Sequence, residues 1–355
     1  MKDELSLFRG KKVLVTGDSG FKGAWLSIWL SELGADVTGI SLPPLQDEDL
    51  FNIANIGDSI CHHNQDIRDY AGVEKIFQET KPEFVFHLAA QALVRRSYRE
   101  PRETFETNVI GSVNILDAVR NTDSVRSVIF VTTDKCYKNN EWTWGYREND
   151  ELGGRDPYSA SKAAAEIAFF AYWNSYFDGS RPLGMASVRA GNVIGGGDWA
   201  EDRIVPDCIR ALSNGDPIRL RNPGSTRPWQ HVLDPLGGYL KLATKTYLHP
   251  DSYSGSWNFG PDSTSIRTVQ DLAEEIIDVW GEGTLKIDRE ENAPHEATLL
   301  HLNCDKAHFQ LGWRPSWDFK RSVRETAQWH RDVTDGQDPL ETTKKQIHQY
   351  LKEVN

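Results

Sequence analysis

Short apolar segments and longer segments of helical composition alternate along the first 180 residues of the chain. The predicted strands cover residues 11–16, 36–40, 61–65, 84–88 and 127–131. The predicted helices cover residues 24–33, 71–79, 101–120 and 163–176. Such alternation predicts an α/β fold with a Rossmann-type, doubly wound parallel sheet. A sheet of this kind binds ligands at the carboxyl ends of its strands.

The pattern becomes less regular after residue 183. A strand is predicted at residues 185–188, and a turn-rich segment follows over residues 189–199. An amphipathic helix is predicted near residues 268–280, and the tail from residue 320 onwards is polar and helical. We therefore expect a cofactor-binding domain over residues 1–188, to which later segments return. A smaller mixed α/β domain over residues 189–355 would bind the substrate.

The first predicted strand and helix are joined by a glycine-rich segment, Gly-x-x-Gly-x-x-Gly, at Gly17, Gly20 and Gly23. Glycines at this place permit a tight turn and let the backbone approach a pyrophosphate at the helix N-terminus. The alternative is an ordinary glycine-rich turn. The second strand ends at Ser41, where an NAD-binding unit usually carries an acid for the ribose hydroxyls. Because no arginine stands there to receive a 2′-phosphate, we predict NAD, with weak anchoring of its adenosine.

Two polar residues in this half have alternative interpretations. Asp66 either contacts the adenine edge or caps the helix predicted at residues 71–79. Asn108 lies inside the helix predicted at residues 101–120, either positioned toward the cofactor or simply facing solvent.

A second motif follows the strand predicted at residues 127–131. Asp134 and Lys135 come directly after this strand, whereas Tyr158 and Lys162 lie one turn apart near the start of a helix. A phenol near pKa 10 is a poor base at neutral pH, but a neighbouring ammonium favours the phenolate. Deprotonation of an alcohol then becomes feasible. A chance Tyr-x-x-x-Lys is the alternative.

Arginines in the second half suit a diphosphate, because guanidinium forks match phosphate oxygens. The candidates are Arg203, Arg219 and Arg227, with ordinary surface charge as the alternative. Asp234 is predicted to be structural, as the N-cap of a helix. His231 is predicted to be a hydrogen-bonded core residue.

Composition and charge reduce the number of functional classes that fit this chain. The net charge of −12, from 40 basic and 52 acidic residues without a basic run, argues against nucleic acid as a partner. The start lacks the apolar segment of a signal peptide, and no apolar run is long enough to span a membrane. The four scattered cysteines predict neither disulfides nor a zinc site, and we expect no metal and a cytoplasmic location. Cys136 is interpreted as a packing residue.

The glycine motif, Asn108 and the Tyr158/Lys162 pair together resemble the extended short-chain dehydrogenase/reductase superfamily over nearly the whole chain. Thr133-Asp134-Lys135 and the segment 20–26 are similar to its nucleotide-sugar 4,6-dehydratases, most of all to those that act on CDP-glucose. The resemblance implies oxidation at C4 by NAD, loss of water across C5 and C6, and return of the hydride to C6. The product would be CDP-4-dehydro-6-deoxy-D-glucose. The cytidine preference rests on the resemblance alone.

The resemblance also implies roles for individual residues. Tyr158 would take the 4-hydroxyl proton with support from Lys162, Thr133 would bind the 4-oxygen, and Asp134 would protonate the departing 6-hydroxyl. Lys135 stands where the wider group has a glutamate that takes the C5 proton. Either a neutral Lys135 accepts that proton, or its charge stabilises the enolate while another group accepts it. A structural lysine, ion-paired at the surface, is the third alternative.

The expected ligand contacts can be stated residue by residue. The cofactor-binding set is Gly17, Ser19, Gly20, Phe21, Lys22, Gly23, Ser41, Asp66, Ile67, Leu88, Ala89, Ala90, Asn108, Thr132, Tyr158 and Lys162. The substrate-binding set is Gln91, Arg189, Asn192, Arg203, Arg219, Arg227 and His301.

Two other functions fit the same motifs. One is a nucleotide-sugar 4-epimerase or reductase, and the other is a non-catalytic NAD-binding sensor. By resemblance we expect a homodimer through helices near 101–120 and 159–176, with a tetramer left open. The expected pathway is deoxysugar synthesis for O-antigen lipopolysaccharide.

Overall fold

A central parallel sheet organises the molecule, and the computed structural model describes residues 2–177, 179, 181–288 and 299–354. The described strands are β1 (Lys12–Thr16), β2 (Asp36–Ser41), β3 (Cys61–Asn64), β4 (Phe84–His87), β5 (Ser127–Val131), β6 (Gly184–Ala190), β7 (Val193–Ile194), β8 (Ile218–Leu220), β9 (Thr226–Pro228), β10 (Gln230–His231), β11 (Gly255–Phe259), β12 (Ile266–Thr268) and β13 (Leu285–Ile287). Seven of them form one sheet in the order β11-β6-β5-β4-β1-β2-β3, with every neighbouring pair parallel. The fold class predicted from the sequence is confirmed. The strand order reverses between β1 and β4, which opens a ligand-binding crevice there.

Helices cover both faces of this sheet. The described α-helices are α1 (Lys2–Leu5), α2 (Phe21–Glu32), α3 (Leu50–Ile53), α4 (Tyr70–Thr80), α5 (Val94–Arg99), α6 (Pro101–Phe105), α7 (Ser112–Arg120), α8 (Pro157–Tyr176), α9 (Ile204–Ser213), α10 (Leu233–Leu248), α11 (Pro250–Tyr253), α12 (Val269–Trp280), α13 (Phe319–Thr334) and α14 (Pro339–Glu353). Short 3₁₀ segments lie at Ser6–Phe8, Ile56–Asp58, Asp134–Cys136 and Ser263–Ser265, and π-helical turns lie at Glu106–Gly111 and Ala307–Leu311. Within the described ranges, no helix has the length and apolarity needed to cross a bilayer.

Alternating side chains of the strands build two cores. Val13 and Val15 of β1 pack on one face, together with Trp25 of α2. Leu14 points to the other face and joins Phe169 of α8. The near-continuous apolar runs noted in the sequence follow from this burial on both faces.

A third apolar cluster lies outside the sheet, where Ile209 of α9, Ile276 of α12 and Val323 of α13 come together. The second half of the chain nevertheless also contributes to the sheet. Strand β11 pairs with β6 and places Trp257 and Phe259 in the main core. The chain returns to its first half from α10 onwards, since Leu236 and Leu240 of that helix also lie in the main core.

Helix caps explain where two helices begin. Helix α8 starts six residues before the predicted segment, because Pro157 occupies its first turn and Asp156 accepts a hydrogen bond from the Ser159 amide at 2.9 Å. Helix α4 is capped by Asp69, which accepts from the Gly72 amide. The cap interpretation of Asp66 is therefore wrong.

Asp234 is structural, as predicted, but it is not an N-cap. It lies in the first turn of α10, and its Oδ1 accepts hydrogen bonds from the Ser316 amide at 2.7 Å and from the Tyr350 hydroxyl at 3.0 Å. These bonds fasten α10 to the chain before α13 and to α14. His231 is a buried core residue, as predicted, and packs against an indole ring of Trp317.

We expect Asp234→Asn to flatten the pH dependence of stability between about pH 4 and pH 7. Burial raises the pKa of Asp234 to about 7 in the folded state, whereas an unfolded aspartate has a pKa of about 3.9. Between these values the folded state holds a proton that the unfolded state has released. The wild-type free energy of unfolding should therefore fall as pH rises through this window, by roughly 3–4 kcal/mol at its upper end.

The measurement is urea unfolding of both proteins at several pH values. Asp338→Asn is the control, because it removes an exposed helix-capping carboxylate from the neighbouring α14. Equal slopes of stability against pH in wild type and Asp234→Asn would contradict the expectation.

Candidate active site

A cavity of about 1470 Å³ opens at the carboxyl ends of the sheet strands. Its walls come from the glycine turn after β1, the segments after β4 and β5, the start of α8, and residues 190–229. Drug-sized ligands occupy cavities of about 300–1,000 Å³, so this one has room for two large ligands. All predicted cofactor residues except Asn108 line it, and so do all predicted substrate residues except Arg189 and His301.

The glycine turn is shaped for a dinucleotide. Gly17 has φ +75°, and a Cβ there would lie 2.7 Å from the Ala89 amide nitrogen. A Cβ at Gly23 would lie 1.9 Å from the Gly17 carbonyl oxygen, so helix α2 packs directly on the turn. Gly20 differs, since its Cβ would meet only the Gly17 oxygen at 3.4 Å and Gly20 itself lines the cavity. A pyrophosphate can therefore approach the backbone beside the N-terminus of α2, and the residues present fit the cofactor.

Asp134 provides a buried carboxyl group in this cavity. It is 3% exposed, and its Oδ1 accepts a hydrogen bond from the Thr133 hydroxyl at 3.0 Å. Burial raises the pKa of Asp134, although Lys135, the Thr133 hydroxyl and Lys22 oppose the rise. Gly191 leaves room for this carboxyl group, because a Cβ there would lie 2.9 Å from its Oδ2. The geometry favours an aspartic acid that can donate a proton.

Tyr158 and Lys162 both line the cavity from the first two turns of α8. Burial raises the pKa of Tyr158 to about 12, opposed by the Thr133 hydroxyl and by the charge of Arg203. Burial lowers the pKa of Lys162 to about 8, and its Nζ donates to the Val131 carbonyl at 3.3 Å.

The sequence predicted that Lys162 alone would supply the positive charge for the phenol. The structure places two other cations near the phenol: Arg203, whose charge lowers the pKa of Tyr158, and Lys135, whose Nζ lies 6.0 Å from the centre of the Tyr158 ring. No motif in the sequence indicated that Arg203 would come near Tyr158. Cys136 is fully buried and burial raises the pKa of its thiol, which fits a packing residue.

Asn108 does not line the cavity, so its predicted direct contact with the cofactor is not seen. It is fully buried in the π-helical turn Glu106–Gly111, which also excludes a solvent-facing role. Its Oδ1 accepts from the Gln91 amide at 2.8 Å, and its Nδ2 donates to the Gln91 carbonyl at 3.0 Å and to Ser161 Oγ at 2.9 Å. Asn108 thereby positions the wall after β4 against α8.

Arg189 was predicted to bind the substrate, but it lies beneath the cavity and does not line it. Its guanidinium is 1% exposed and forms an ion pair with Glu166 of α8, with Nη2 and Oε2 2.8 Å apart. It also donates to the hydroxyl of Tyr137 at 2.7 Å. Although burial opposes ionisation of Glu166, Arg189 holds the pKa of that carboxyl below its usual value. Strand β6 is buried along its whole length, so a side chain on either of its faces is enclosed by the protein.

His301 also lies outside the residues that line the cavity. Its carbonyl oxygen accepts a hydrogen bond from the Tyr146 amide at 2.9 Å. Burial lowers the pKa of its imidazole.

The three predicted clamp arginines all line the cavity, but in different surroundings. Arg203 is paired with the buried Asp198 at 2.8 Å, whereas Arg219 is 67% exposed and lies 3.1 Å from Asp288. Arg227 donates to the Thr226 carbonyl at 2.8 Å. Sequence reasoning missed Arg221, which also lines the cavity. Its position two residues after Arg219, at the end of a short strand, was a usable signal.

Comparisons with known proteins relate the whole chain to sugar-nucleotide enzymes. Residues 14–326 match the family model described as GDP-mannose 4,6 dehydratase. The CDP-glucose 4,6-dehydratase of Salmonella typhimurium is 45% identical over 350 residues, which are 98% of this chain and 98% of that protein. The dTDP-glucose 4,6-dehydratase of Shigella flexneri is 26% identical over 90% of this chain and 92% of its own.

Solved structures share the fold. The dTDP-glucose 4,6-dehydratase of Streptomyces venezuelae, solved with NAD bound, aligns with a TM-score of 0.78 and 22% identity over 92% of this chain and 99% of its own. The UDP-glucose 4-epimerase of Thermus thermophilus, also solved with NAD, aligns with a TM-score of 0.76 and 27% identity over 90% and 98%. Dehydratases and epimerases share this fold, so the fold alone does not determine the reaction, which depends on the residues of the site.

Proposed function

Because the chain belongs to the GDP-mannose 4,6 dehydratase family, we propose that it converts CDP-glucose to CDP-4-dehydro-6-deoxy-D-glucose and water with NAD as cofactor. The observation that carries the reaction type is the buried carboxyl of Asp134, hydrogen-bonded to Thr133 in the cavity that Tyr158 lines. A dehydratase needs such an acid to release the 6-hydroxyl, and an epimerase does not. The cytidine nucleotide is supported by the 45% identity to the Salmonella enzyme over both full lengths.

The glycine turn, the segment after β4 and Lys162 would hold the cofactor. When bound there, NAD would supply the hydride acceptor for C4 and the hydride donor for C6 of the glucosyl group. The remaining chemistry consists of proton transfers by side chains of this chain.

The first proton transfer falls to Tyr158. The pKa of its phenol is about 12 even beside Arg203, so forming the phenolate needs further positive charge, which we assign to Lys162. Tyr158 then accepts the proton of the 4-hydroxyl group, while the Thr133 hydroxyl donates to the 4-oxygen.

Elimination of water follows from the acidity that a 4-ketone confers on C5. Asp134 donates its proton to the departing 6-hydroxyl, which leaves as water, and the C5 proton goes to a base. After the hydride has added to C6, a proton returns to C5 and completes the product. Lys135 lies beside these groups and has two possible roles: acceptor of that proton when neutral, or stabiliser of the enolate when charged.

We expect Arg203→Ala to raise the KM for CDP-glucose by about tenfold or more, and also to lower kcat because its charge lowers the pKa of Tyr158. Arg219→Ala should raise the KM less than about threefold and leave kcat unchanged. Arg203 is oriented by a buried carboxylate, so its guanidinium is held ready for a diphosphate. Arg219 is solvated at the rim and must give up hydration and mobility to bind. Steady-state kinetics at saturating NAD measure both values. A larger effect of Arg219→Ala would reverse this order of importance.

Assembly is proposed on the pattern of exposed apolar side chains. Phe105, Ile110 and Ile167 are 39%, 53% and 61% exposed, and they lie on the helical segments predicted to form the dimer. We infer a homodimer through these segments, acting in the cytoplasm. Light scattering of Ile110→Asp and Ile167→Asp against wild type tests the dimer.

The function is tested by incubating the chain with CDP-, UDP-, dTDP- and GDP-linked hexoses, with and without added NAD, followed by mass spectrometry. Loss of one water from CDP-glucose is the expected result. Unchanged masses with inversion at C4 would support an epimerase instead. If none of the sugars is changed, the result would support a non-catalytic NAD-binding sensor.

A further inference from the structure

The strand end that usually carries an acid for the cofactor ribose holds Ser41 in this chain. A carboxylate nevertheless lies next to it. It belongs to Asp18, which comes from the glycine turn and not from β2.

Two hydrogen bonds, one on each side of Asp18, join the glycine turn to the end of β2. The Gly17 amide donates to the Ile40 carbonyl at 2.7 Å, and the Ser19 hydroxyl donates to the Leu42 carbonyl at 2.9 Å. The side chain between them crosses over Gly39, where a Cβ would lie 2.1 Å from Asp18 Oδ2. Gly39 in the middle of β2 therefore makes room for this carboxylate.

Two buried oxygen atoms at this place lack hydrogen bonds. Asp18 is fully buried, and only its Oδ2 is satisfied, by His62 Nδ1 at 2.7 Å. The Ser41 hydroxyl is close enough to lower the pKa of Asp18, which burial raises. Within the described residues, however, neither Asp18 Oδ1 nor Ser41 Oγ makes a hydrogen bond of good geometry. Unsatisfied buried polar atoms are costly, which makes both atoms candidates for pairing with a ligand.

We propose that Asp18, acting through Ser41, replaces the missing acid and anchors the adenosine ribose of NAD. Ser41 lines the cavity, whereas Asp18 lies behind it. A ribose hydroxyl donates to Ser41 Oγ, and the Ser41 hydroxyl in turn donates to Asp18 Oδ1. Both unsatisfied oxygens are then paired. Asp18 is thus a positioning residue, and the inference rests on the proposed use of NAD.

The same arrangement disfavours NADP. A 2′-phosphate placed at Ser41 would meet the negative charge of Asp18 in a buried setting, where like charges repel strongly. Arg68 lines the same cavity, but its guanidinium is held by Asp66, with Nη2 and Oδ2 2.6 Å apart.

A purely structural role makes a different prediction. Asp18 would then only tie the turn to β3 through His62, and its removal would lower the melting temperature without a specific effect of Ser41. Readouts of ligand affinity and of stability are therefore both needed.

The experiment measures binding of NAD and NADP by calorimetry, without substrate, to wild type, Asp18→Asn, Ser41→Ala and the double variant. Asp69→Asn is the control, since it removes a nearby carboxylate that caps α4 and does not line the cavity. We expect each single variant to bind NAD about tenfold more weakly, the size of one lost charge-assisted hydrogen bond. The double variant should bind no more weakly than the weaker single variant, and NAD should lose its advantage over NADP.

Wild-type NAD affinity in either folded single variant would overturn the inference, and so would losses that multiply in the double variant. If Asp18→Asn does not fold, the NAD affinity of Ser41→Ala still tests the inference. If wild type dehydrates CDP-glucose but the variants bind NAD as tightly as wild type, the role of Asp18 and Ser41 is wrong and the proposed function stands. A wild-type chain that binds no NAD would remove the proposed function as well.

Discussion

Replacing Tyr158 with phenylalanine should slow the turnover of CDP-glucose by about 10²- to 10⁴-fold, the usual contribution of a positioned acid–base group. The substitution removes the only atom of this side chain that can accept the 4-hydroxyl proton, while the buried ring remains in place. Because this proton transfer accompanies oxidation at C4, all later steps should be lost with it.

Single-turnover absorbance of the reduced cofactor is the decisive measurement for Tyr158→Phe. No reduced cofactor should accumulate. Tyr172→Phe is a matched control, since it removes a phenol oxygen from the same helix at a residue that does not line the cavity. Rapid formation of reduced cofactor in Tyr158→Phe would show that another group accepts the proton.

Replacing Asp134 with asparagine should separate the two halves of the reaction. Oxidation at C4 should persist, whereas water loss should slow by about 10²- to 10⁴-fold, because an amide has no proton of suitable acidity for the departing hydroxyl. Reduced cofactor and the 4-keto sugar should therefore build up.

The pH profile gives this assignment a second test. Burial raises the pKa of Asp134, and the acid form is active, so the wild-type elimination rate should fall as pH rises through that pKa. Asp134→Asn should lack this fall. Asp123→Asn, which removes a fully exposed carboxylate, is the control. Water loss at the wild-type rate in Asp134→Asn would contradict the role of general acid.

Local sequence patterns predicted the parts of the site that depend on local structure. Gly17, Asp134 and Tyr158 follow directly from strand ends and from a helix start, and a parallel sheet brings strand ends to one edge. The pattern could not show which side of β6 Arg189 would face, since every residue of that strand is buried. Whether an arginine binds substrate or a buried glutamate depends on a partner 23 residues away in the chain.

Longer-range contacts were equally hidden from the sequence. Asn108 was recognised as unusual, but its partners Gln91 and Ser161 lie on two different segments. Asp18 and His62 are 44 residues apart, and only the missing side chain of Gly39 allows them to meet. In each case a tertiary contact, and not local propensity, determines the role of the residue.

The ion pair between Arg189 and Glu166 joins helix α8 to a strand that is synthesised after it. Glu166 follows Lys162 by one turn of α8, so this contact fixes the helix that presents both catalytic side chains. On the ribosome, Tyr158 and Lys162 emerge well before strand β6. Until Arg189 has left the exit tunnel, Glu166 lacks its cationic partner, although the Thr132 hydroxyl and the apolar contacts of Phe169 with Phe130 are already available to α8. We therefore expect the carboxylate below the catalytic pair to be neutralised only after the sixth sheet strand has been made.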